Sequence, residues 1–465
     1  MLPFMGILVI FSAMLALLAP AIVGAATDQP APDLAKGRAA YQQHCARCHG
    51  VEGKGDGLDA KRFYPRPRDF SLGVYKFRST VSGTPPSDED LFRTITKGLP
   101  GTNMPDWQHV DAETRWQLVY YLKNLSPVFQ QTQPAPVSLT ADPGAARADL
   151  TKGRALYEQM GCAACHGRLG RADGTSAAGL VDDWGMKIRP ANLTQGWAYR
   201  GGSDPHAVAT RFLAGIDGTG MPSYAEAFAS PEDVWHLSYY VASLQEPPQW
   251  RTIAHPSRAT GPLPATGDDP QWASAERTDV PLRNAVTPQG EWAAPPTVRA
   301  VSFQAVYNED AIAFRITWDD PSHGGSSSPD GLALALKPEG LSGDVASLQA
   351  WPYVGAPALE FCYWGEGASQ ASALLAQDFE SLRSAGAAPN LPIQAGYADG
   401  RWQLVLQRPL QPGTPAGAVA MTPERFVSLA VVVWDGGNAD ARAVSPWMEL
   451  SFKGPAGAGQ HRARH

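Results

Sequence analysis

Cysteine is scarce in this sequence. Only five cysteines occur among 465 residues, and four of them belong to two short motifs, which leaves Cys362 alone in an apolar run. This count excludes a small secreted scaffold held together by a network of disulfides. We expect Cys362 to be a buried and unreactive thiol, because that is the usual state of an isolated cysteine in apolar surroundings.

Basic residues are not in excess either. The chain carries 38 Lys and Arg against 45 Asp and Glu, which gives a formal net charge of -7 at pH 7. A protein that binds nucleic acid without sequence preference needs a positively charged surface. The charge balance therefore argues against a nucleic-acid partner.

Long apolar runs are missing after the N-terminus. The run at residues 2–26 ends in small residues and has the form of a secretory signal peptide, with cleavage expected after Ala25 or Ala26. No basic residue precedes it, since the first is Lys36. An uncleaved membrane anchor therefore remains the alternative, because the run is long enough to span a bilayer. We expect an exported protein, periplasmic or extracytoplasmic, that contacts a membrane only through residues 1–26, and only if they are retained.

Two copies of one short motif organise the first half of the chain. Residues 45–49 and 162–166 both have the pattern C-x-x-C-H, which is the attachment signature of a c-type haem. Two thiols one helical turn apart can each form a thioether with a porphyrin vinyl group. The histidine that follows the second cysteine can then ligate the haem iron. A thioredoxin-like pair or half of a zinc site is the alternative, but a histidine directly after both copies favours haem. The predicted attachment residues are Cys45, Cys48, Cys162 and Cys165, and the predicted proximal ligands are His49 and His166.

Each motif is followed by a matching methionine loop. The pattern G-T-x-M-P occurs at residues 101–105 and 218–222, and each methionine lies 55 residues after the histidine of its own motif. A single methionine is usually core filler, but two in matching loops are predicted distal ligands, Met104 and Met221. Ligation by His and Met raises the reduction potential of a haem. Three other histidines do not repeat between the copies and are predicted to be ordinary surface or core residues: His44, His109 and His236.

A longer internal repeat surrounds the motifs. The pattern K-G-R-A-x-Y occurs at residues 36–41 and again at 152–157, and both copies begin a predicted helix that leads into C-x-x-C-H. Apolar residues at helical spacing predict a closing helix at residues 115–125, with a counterpart about 119 residues later. Near-constant offsets between the copies indicate a duplicated unit. We expect Gly37 and Gly153 to let the closing helix of each unit cross closely.

Each unit resembles a class I cytochrome c domain, in the order opening helix, C-x-x-C-H, loop, methionine loop and closing helix. The resemblance covers residues 33–128 and 149–246, joined by a linker at 129–148. It implies two covalently bound haem c groups, held by the thioether, proximal and distal residues named above. It also implies that a proline carbonyl, that of Pro67 or Pro190, accepts a hydrogen bond from the proximal histidine and fixes its ring.

The loop of the first unit carries a run of positive charge between residues 61 and 78. Such a run is usually a solvated face. Beside a haem edge it could also steer an acidic redox partner and raise the rate of association at low salt. The basic residues of the run are Lys61, Arg62, Arg66, Arg68, Lys76 and Arg78.

After a second linker at 247–270, the residue pattern changes to that of strands. Seven β-rich runs separated by Gly, Pro, Asp and Asn predict an antiparallel β-sandwich at residues 271–453. The tail at 454–465 is predicted to be disordered. The predicted strands are 298–306, 311–318, 332–336, 358–364, 402–406, 426–434 and 447–452.

Parts of this third resemble the haem-b-binding gamma subunits of ethylbenzene dehydrogenase and dimethylsulfide dehydrogenase. The matching pieces are residues 316–320, 330–334, 351–355, 360–364 and 434–437. In that family a Met and a Lys clamp the haem iron, but here Val354 and Gly365 stand near the two expected positions, and neither can ligate iron. We therefore predict that a third haem, a haem b, is absent. The alternatives, if the alignment is shifted, are ligands recruited from Met448, Lys337 or His323.

The sequence thus predicts a multidomain protein with two all-α cytochrome c domains followed by an all-β antiparallel sandwich. The predicted function is the transfer of single electrons between redox protein partners in a respiratory chain. The resemblances suggest a molybdenum oxidoreductase or a membrane quinol complex as partner. The alternatives are a dihaem enzyme, either peroxidase-like or thiosulfate-oxidising, and a docking subunit. Electron transfer is favoured over catalysis because both units offer a methionine and neither has a spare cysteine.

Overall fold

The structure is a computed structural model of the chain. It describes residues 29–284, 297–323, 329–338, 357–379, 382, 390–413, 415, 417–422, 424–436 and 442–453. The apolar segment 1–26, the tail 454–465 and Val354 lie outside the described residues. None of the helices within these ranges combines the length and the apolarity that a bilayer crossing requires.

The first helical unit contains α1 (Leu34–His44), α2 (Ala46–His49), α3 (Asp88–Lys97), α4 (Ala112–Asn124) and α5 (Val128–Gln131). Side chains cap its helices as expected for these residue types. Asp33 accepts from the backbone of α1, and Ser87 forms a capping box with Asp90 at the start of α3. Helices α1 and α4 pack against each other through a core that includes Tyr41 and Leu118.

The second helical unit repeats this order. It contains α6 (Leu150–Gln159), α7 (Cys162–His166), α8 (Pro205–Ala214) and α9 (Asp233–Ser243). Helix α6 packs against α9 as α1 packs against α4, and Tyr157 takes the buried position that Tyr41 has in the first unit. The helices α1 to α4 of the first unit therefore match α6 to α9 of the second in the same order, as the internal repeat predicts, and only α5 has no counterpart among the described residues.

A glycine lies at each helix crossing. A Cβ on Gly37 would overlap the carbonyl oxygen of Gln117, and one on Gly153 would overlap that of His236. Only a residue without a side chain allows α1 and α6 to approach α4 and α9 this closely. The predicted role of both glycines at the helix crossing is confirmed.

The C-terminal part, here called the β region, is built from strands. They are β1 (Ile253–Ala254), β2 (Ser257–Arg258), β3 (Thr278–Pro281), β4 (Arg283–Asn284), β5 (Ala300–Tyr307), β6 (Ala311–Asp319), β7 (Gly331–Leu336), β8 (Leu359–Gly365), β9 (Gln370–Ala376), β10 (Asn390–Ala398), β11 (Arg401–Pro409), β12 (Phe426–Trp434), β13 (Arg442–Val444) and β14 (Met448–Ser451). The predicted fold class, helical cytochrome-like units followed by an all-β part, is confirmed.

The strands form one curled sheet shaped like a half-barrel. Its order is β1-β14-β12-β7-β8-β9-β10-β11-β6-β5-β2, and β13, β4 and β3 pair beside this path. One half of the sheet runs from β1 to β9 in this order, and the other half runs from β11 to β2. Strand β10 joins the two halves, because its residues 390–392 pair with β9 and its residues 393–398 pair with β11. Most pairs are antiparallel, but β1 and β2 are parallel to β14 and β5. In place of the predicted antiparallel sandwich, the strands thus form one continuous sheet that curls around its core.

One main core lies between the two halves of the curled sheet. It includes Trp318 and Trp402 from one half and Trp364 from the other. Cys362 is buried in it, as predicted, and burial raises the pKa of its thiol to about 12. Met448 also lies in this core.

Both predicted linkers run along folded surfaces. Residues 135 and 137 bond to the backbone of residues 79–81 in the first unit, and Thr140 accepts from the Trp235 ring nitrogen (3.0 Å) in the second. The second linker contains β1 and β2, which add to the curled sheet. Both segments therefore pack against the folded parts that they connect.

Replacing Gly153 by Ala should destabilise the second helical unit, because the new Cβ would lie 2.6 Å from Cβ of Tyr240 and overlap the carbonyl of His236. Overpacking costs about 1–3 kcal/mol, which outweighs the gain of roughly 1 kcal/mol in helix propensity. We expect a lower midpoint of thermal unfolding, followed by circular dichroism. Gly179→Ala is the matched control, since a Cβ there meets no atom within 4 Å. Equal midpoints for the two variants would contradict the close crossing.

Candidate functional site

Both C-x-x-C-H motifs form a turn of helix. His49 N donates to Cys45 O (2.9 Å) and Cys48 N donates to the same carbonyl (3.1 Å), and the second motif is helix α7 itself. All four cysteines are free thiols. In each unit, two thiols and an imidazole are thus presented by the first, fourth and fifth residues of one helical turn.

Each motif histidine is held by a backbone carbonyl. His49 Nδ1 donates to Arg68 O (3.0 Å), and His166 Nδ1 donates to Ala191 O (2.8 Å). The assignment of this role to Pro67 and Pro190 is wrong by one residue. Successive groups of an extended chain point in opposite directions, so sequence position near a proline does not decide which carbonyl faces the ring.

The electrostatics keep both imidazoles neutral. Burial lowers the pKa of His49 and of His166. A neutral imidazole that donates from Nδ1 keeps the lone pair of Nε2 available for a metal. The tautomer set by the carbonyl is therefore the one that a haem iron requires.

Two tyrosines fix the chain directly after the motifs. Tyr41 Oη donates to Gly50 O (2.7 Å), and Tyr157 Oη donates to Gly167 O (2.7 Å). Both glycines have positive φ, 82° and 81°, so the chain reverses sharply below the histidine. Sequence reasoning missed this role, although the tyrosine that ends each K-G-R-A-x-Y repeat was the signal for it.

The two methionine loops have the same hydrogen bonds. In the first, Leu99 N donates to Met104 O (3.0 Å) and Met104 N donates to Thr102 Oγ1 (3.1 Å). The corresponding distances in the second loop are 2.9 Å, from Ile216 N to Met221 O, and 3.2 Å, from Met221 N to Thr219 Oγ1. Both methionines are only half-buried, which is unusual for residues that merely fill a core.

The first unit also contains donors that suit a haem. Tyr75 Oη and Trp107 Nε1 are buried, and neither has a hydrogen-bond partner among the described residues. Both side chains belong to the cluster that contains Cys45. Buried donors normally have acceptors, and a haem brings carboxylate groups that can accept. Together with the free thiols and the oriented imidazoles, these donors show that the residues present fit a haem c.

The remaining histidines of the helical units have other contacts. His236 Nδ1 accepts from Asp149 N (3.0 Å) at the start of α6. His44 and His109 both contact the ring of Trp107, at 5.2 and 5.4 Å between centroids. These contacts agree with the expectation that the three are ordinary residues.

Half of the basic run of the first unit faces the second unit. Arg78 is fully buried and forms an ion pair with Asp217 (2.6 Å), and Lys76 pairs with Asp182 (3.1 Å). The interpretation of the whole run as a solvated face or a docking surface is therefore wrong for these residues. The basic residues of the run that remain exposed are Lys61, Arg62 and Arg66.

Arg68 links the two sites. Its carbonyl accepts from His49, and its guanidinium lies 4.1 Å from the ring centre of Trp184 in the second unit, a cation–π contact. Trp184 in turn packs on Gly218, where a Cβ would lie 2.6 Å from Cζ3 of the ring. Gly218 begins the methionine loop of the second unit. One arginine thus connects the histidine side of the first site to the methionine side of the second.

The second site also rests on the β region. Asn192, next to the carbonyl that holds His166, donates from Nδ2 to Asp319 Oδ2 (2.8 Å). Asp319 lies at the end of β6 and pairs with Arg401 (2.6 Å), which also binds Glu246 (3.0 Å). The loop behind the second histidine is therefore tied to the edge of the curled sheet.

Family comparisons assign the two helical units. The family model of cytochrome c oxidase, cbb3-type, subunit III matches residues 32–122, and that of cytochrome c matches residues 150–245. The chain therefore contains two cytochrome c domains, which imply binding of haem c and a role in electron transfer.

Individual relatives cover part of the chain. The chain is 30% identical over 220 residues to the cbb3-type cytochrome c oxidase subunit CcoP of Azospirillum sp. (strain B510). The matched region covers 45% of this chain and 62% of the relative. It thus spans about three fifths of the length of that curated relative. A chain of the Kuenenia stuttgartiensis reducing HAO-like protein complex is 40% identical, with a TM-score of 0.43, over 45% of this chain and 96% of its own. A family 9 carbohydrate binding module from Caldicellulosiruptor kristjanssonii is 9% identical, with a TM-score of 0.25. That match covers 46% of this chain and 100% of the module.

Replacing Arg78 by Gln should destabilise the contact between the helical units, because Asp217 would lose its buried ionic partner. Breaking such a pair costs about 3–5 kcal/mol. Arg62→Gln is the matched control in the same loop, since Arg62 is exposed and lies 3.6 Å from Asp59, and exposed pairs contribute about 0–1 kcal/mol. Denaturant unfolding of both variants measures the difference. Equal stability would show that the Arg78 pair does not hold the units together.

Proposed function

We propose that this protein is an exported dihaem cytochrome c that passes single electrons between redox proteins. The observation that carries the proposal is the twofold repetition of one constellation. In each helical unit, two free thiols and a carbonyl-anchored histidine on a short helix are accompanied by a methionine loop with the same hydrogen bonds. A repeated site of this kind suits a relay with two redox centres.

The chain's own residues have separate tasks at each site. The thiols hold the group covalently, the carbonyls of Arg68 and Ala191 orient the imidazoles, and the methionine loops offer a thioether sulfur. A haem with His and Met ligands supplies reversible one-electron chemistry. The proposed haem-binding residues are Cys45, Cys48, His49, Met104, Cys162, Cys165, His166 and Met221.

Electron transfer is favoured over a dihaem enzyme. Peroxide chemistry needs an open coordination position on one iron, and a thiosulfate-oxidising cytochrome uses a cysteine ligand. Both methionine loops keep the same internal hydrogen bonds, and neither unit has a cysteine beyond its motif. These features support two closed, low-spin centres and disfavour the peroxidase-like and thiosulfate-oxidising alternatives.

The partners are proposed from the relatives. The match of the first unit to an oxidase subunit family and the CcoP relative favour a respiratory donor or acceptor. The resemblance of the β region to gamma subunits would instead favour a molybdenum oxidoreductase, and a membrane quinol complex stays a third choice. Lys61, Arg62 and Arg66 are exposed and offer a basic contact for an acidic partner. Residues 1–26 serve as a cleaved signal peptide or as an anchor.

The ligands can be tested one site at a time. Met104→Ala and Met221→Ala should each remove about half of the sulfur-to-iron charge-transfer band at the red end of the oxidised spectrum, and should lower one potential, since thioether ligation raises it. Met160→Ala is the control, because Met160 packs in the second unit without belonging to a methionine loop. If the loop variants keep the spectrum and potentials of the parent, the distal assignments are wrong.

We also predict two haems per chain, both covalent. Gly365 cannot ligate iron, and Met448 is buried in the core of the curled sheet. Total haem is measured by the pyridine haemochrome spectrum before and after extraction with acidified acetone, which removes only noncovalent haem. We expect no extractable haem. A third, extractable haem per chain would place a redox centre in the β region and contradict the prediction.

A further inference from the structure

Four acidic residues lie together at one end of the curled sheet. The last inward-facing core residues at this end are Trp318, Leu332, Trp364 and Val433, on β6, β7, β8 and β12. Since side chains alternate along a strand, the acidic residue two positions further along each strand lies on the same side, at the mouth of the sheet, where three of the four are buried and Glu366 is exposed. These four residues, here called the carboxylate cluster, are Asp320, Asp330, Glu366 and Asp435.

The members of the cluster are close neighbours. Strand β7 pairs with both β8 and β12, so Asp330 has Glu366 on one side and Asp435 on the other. Glu366 N donates to Asp330 O (2.8 Å). Asp320 comes from β6 in the opposite half, and the Ser322 hydroxyl lies within hydrogen-bond distance of both Asp320 and Asp435. Like charges in directly opposite positions destabilise a sheet.

One oxygen of the cluster has no partner. Asp320 is fully buried, and its Oδ1 accepts from Ser322 N (2.9 Å), but Oδ2 has no hydrogen-bond partner in the described parts of the chain. A buried carboxylate oxygen without a partner is costly, so this position favours a bound group that the oxygen can contact.

The outer side of the cluster is oriented by two donors. Trp402 Nε1 donates to Asp330 Oδ2 (3.0 Å), and His323 Nδ1 lies 3.1 Å from the same oxygen and 3.6 Å from Glu366 Oε1. The potential ligand atoms of His323, Asp330 and Glu366 all lie within 4.8 Å of one another. Metal-binding carboxylates are commonly held by such neighbouring hydrogen bonds.

We propose that the carboxylate cluster binds one divalent cation, and that this cation is Ca²⁺. Carboxylate oxygens are the ligands that Ca²⁺ prefers, and it accepts six to eight oxygens in flexible arrangements. His323 lies at the rim and acts as a donor to Asp330, whereas a zinc site would use the imidazole as a ligand. The ion joins β6 to β7, β8 and β12 and so closes the mouth between the two halves of the curled sheet.

The test uses the full chain with its haems, freed of divalent cations by chelation and dialysis and titrated calorimetrically with CaCl₂. We expect saturable binding of about one Ca²⁺ per chain, and at least tenfold weaker binding for Asp320→Asn. Glu309→Gln is the matched control, because Glu309 is an exposed carboxylate before the opposite end of β6. Circular dichroism and the haem spectrum show whether each variant is folded.

A second measurement covers the case in which Asp320→Asn does not fold. Ca²⁺ should raise the midpoint of thermal unfolding of the unmodified protein, because a ligand that binds only the folded state stabilises it, and Asp330→Asn should lose this shift. Absence of saturable binding, or unchanged binding in a folded Asp320→Asn, overturns the proposal. Zn²⁺ binding that excludes Ca²⁺ and is lost in His323→Ala overturns the assignment to calcium.

Discussion

The hydrogen bond from Nδ1 of each motif histidine to a backbone carbonyl is the contact on which the two sites depend. It sets the tautomer and the ring orientation in one step, but a carbonyl can do this only if its own segment is fixed. Arg68 is fixed through its guanidinium, which packs on Trp184, and Ala191 is fixed through its neighbour Asn192, which bonds to Asp319. In both cases the support comes from another part of the molecule. The geometry of each site is therefore a property of the assembled chain and not of one helical unit.

The contact between the helical units contains ion pairs that are largely removed from water. Arg78 is fully buried, and Lys76 and Asp182 are both mostly buried. Removing charges from water is expensive unless each finds a well-placed partner, so such pairs tolerate little rearrangement. They fix how the units face each other more than they add stability. A fixed orientation would suit the two proposed redox centres, because the separation between them would then be constant.

Local patterns in the sequence predicted the parts of the site that depend on short spacing: the thiols and histidine of each motif, the methionine loops, and the glycine at each helix crossing. Contacts between distant segments could not be predicted this way. The basic run reads as exposed because Asp182 and Asp217, the partners of Lys76 and Arg78, lie more than a hundred residues away. Strand β10 was missed because Pro392 and Gly396 interrupt its pattern, yet Pro392 pairs with β9 where the sheet passes from one half to the other.

The end of β6 connects the β region to the second site. Adjacent residues of a strand face opposite sides: Asp320 points into the mouth of the curled sheet, while Asp319 points outward to Arg401 and Asn192. A displacement of Asp320 must therefore move Asp319, and Asp319 holds the loop whose carbonyl orients His166. Like the carbonyl of Arg68, that of Ala191 is thus positioned by a neighbouring part of the chain. This support requires no haem in the β region, because it acts through the packing of β6 alone.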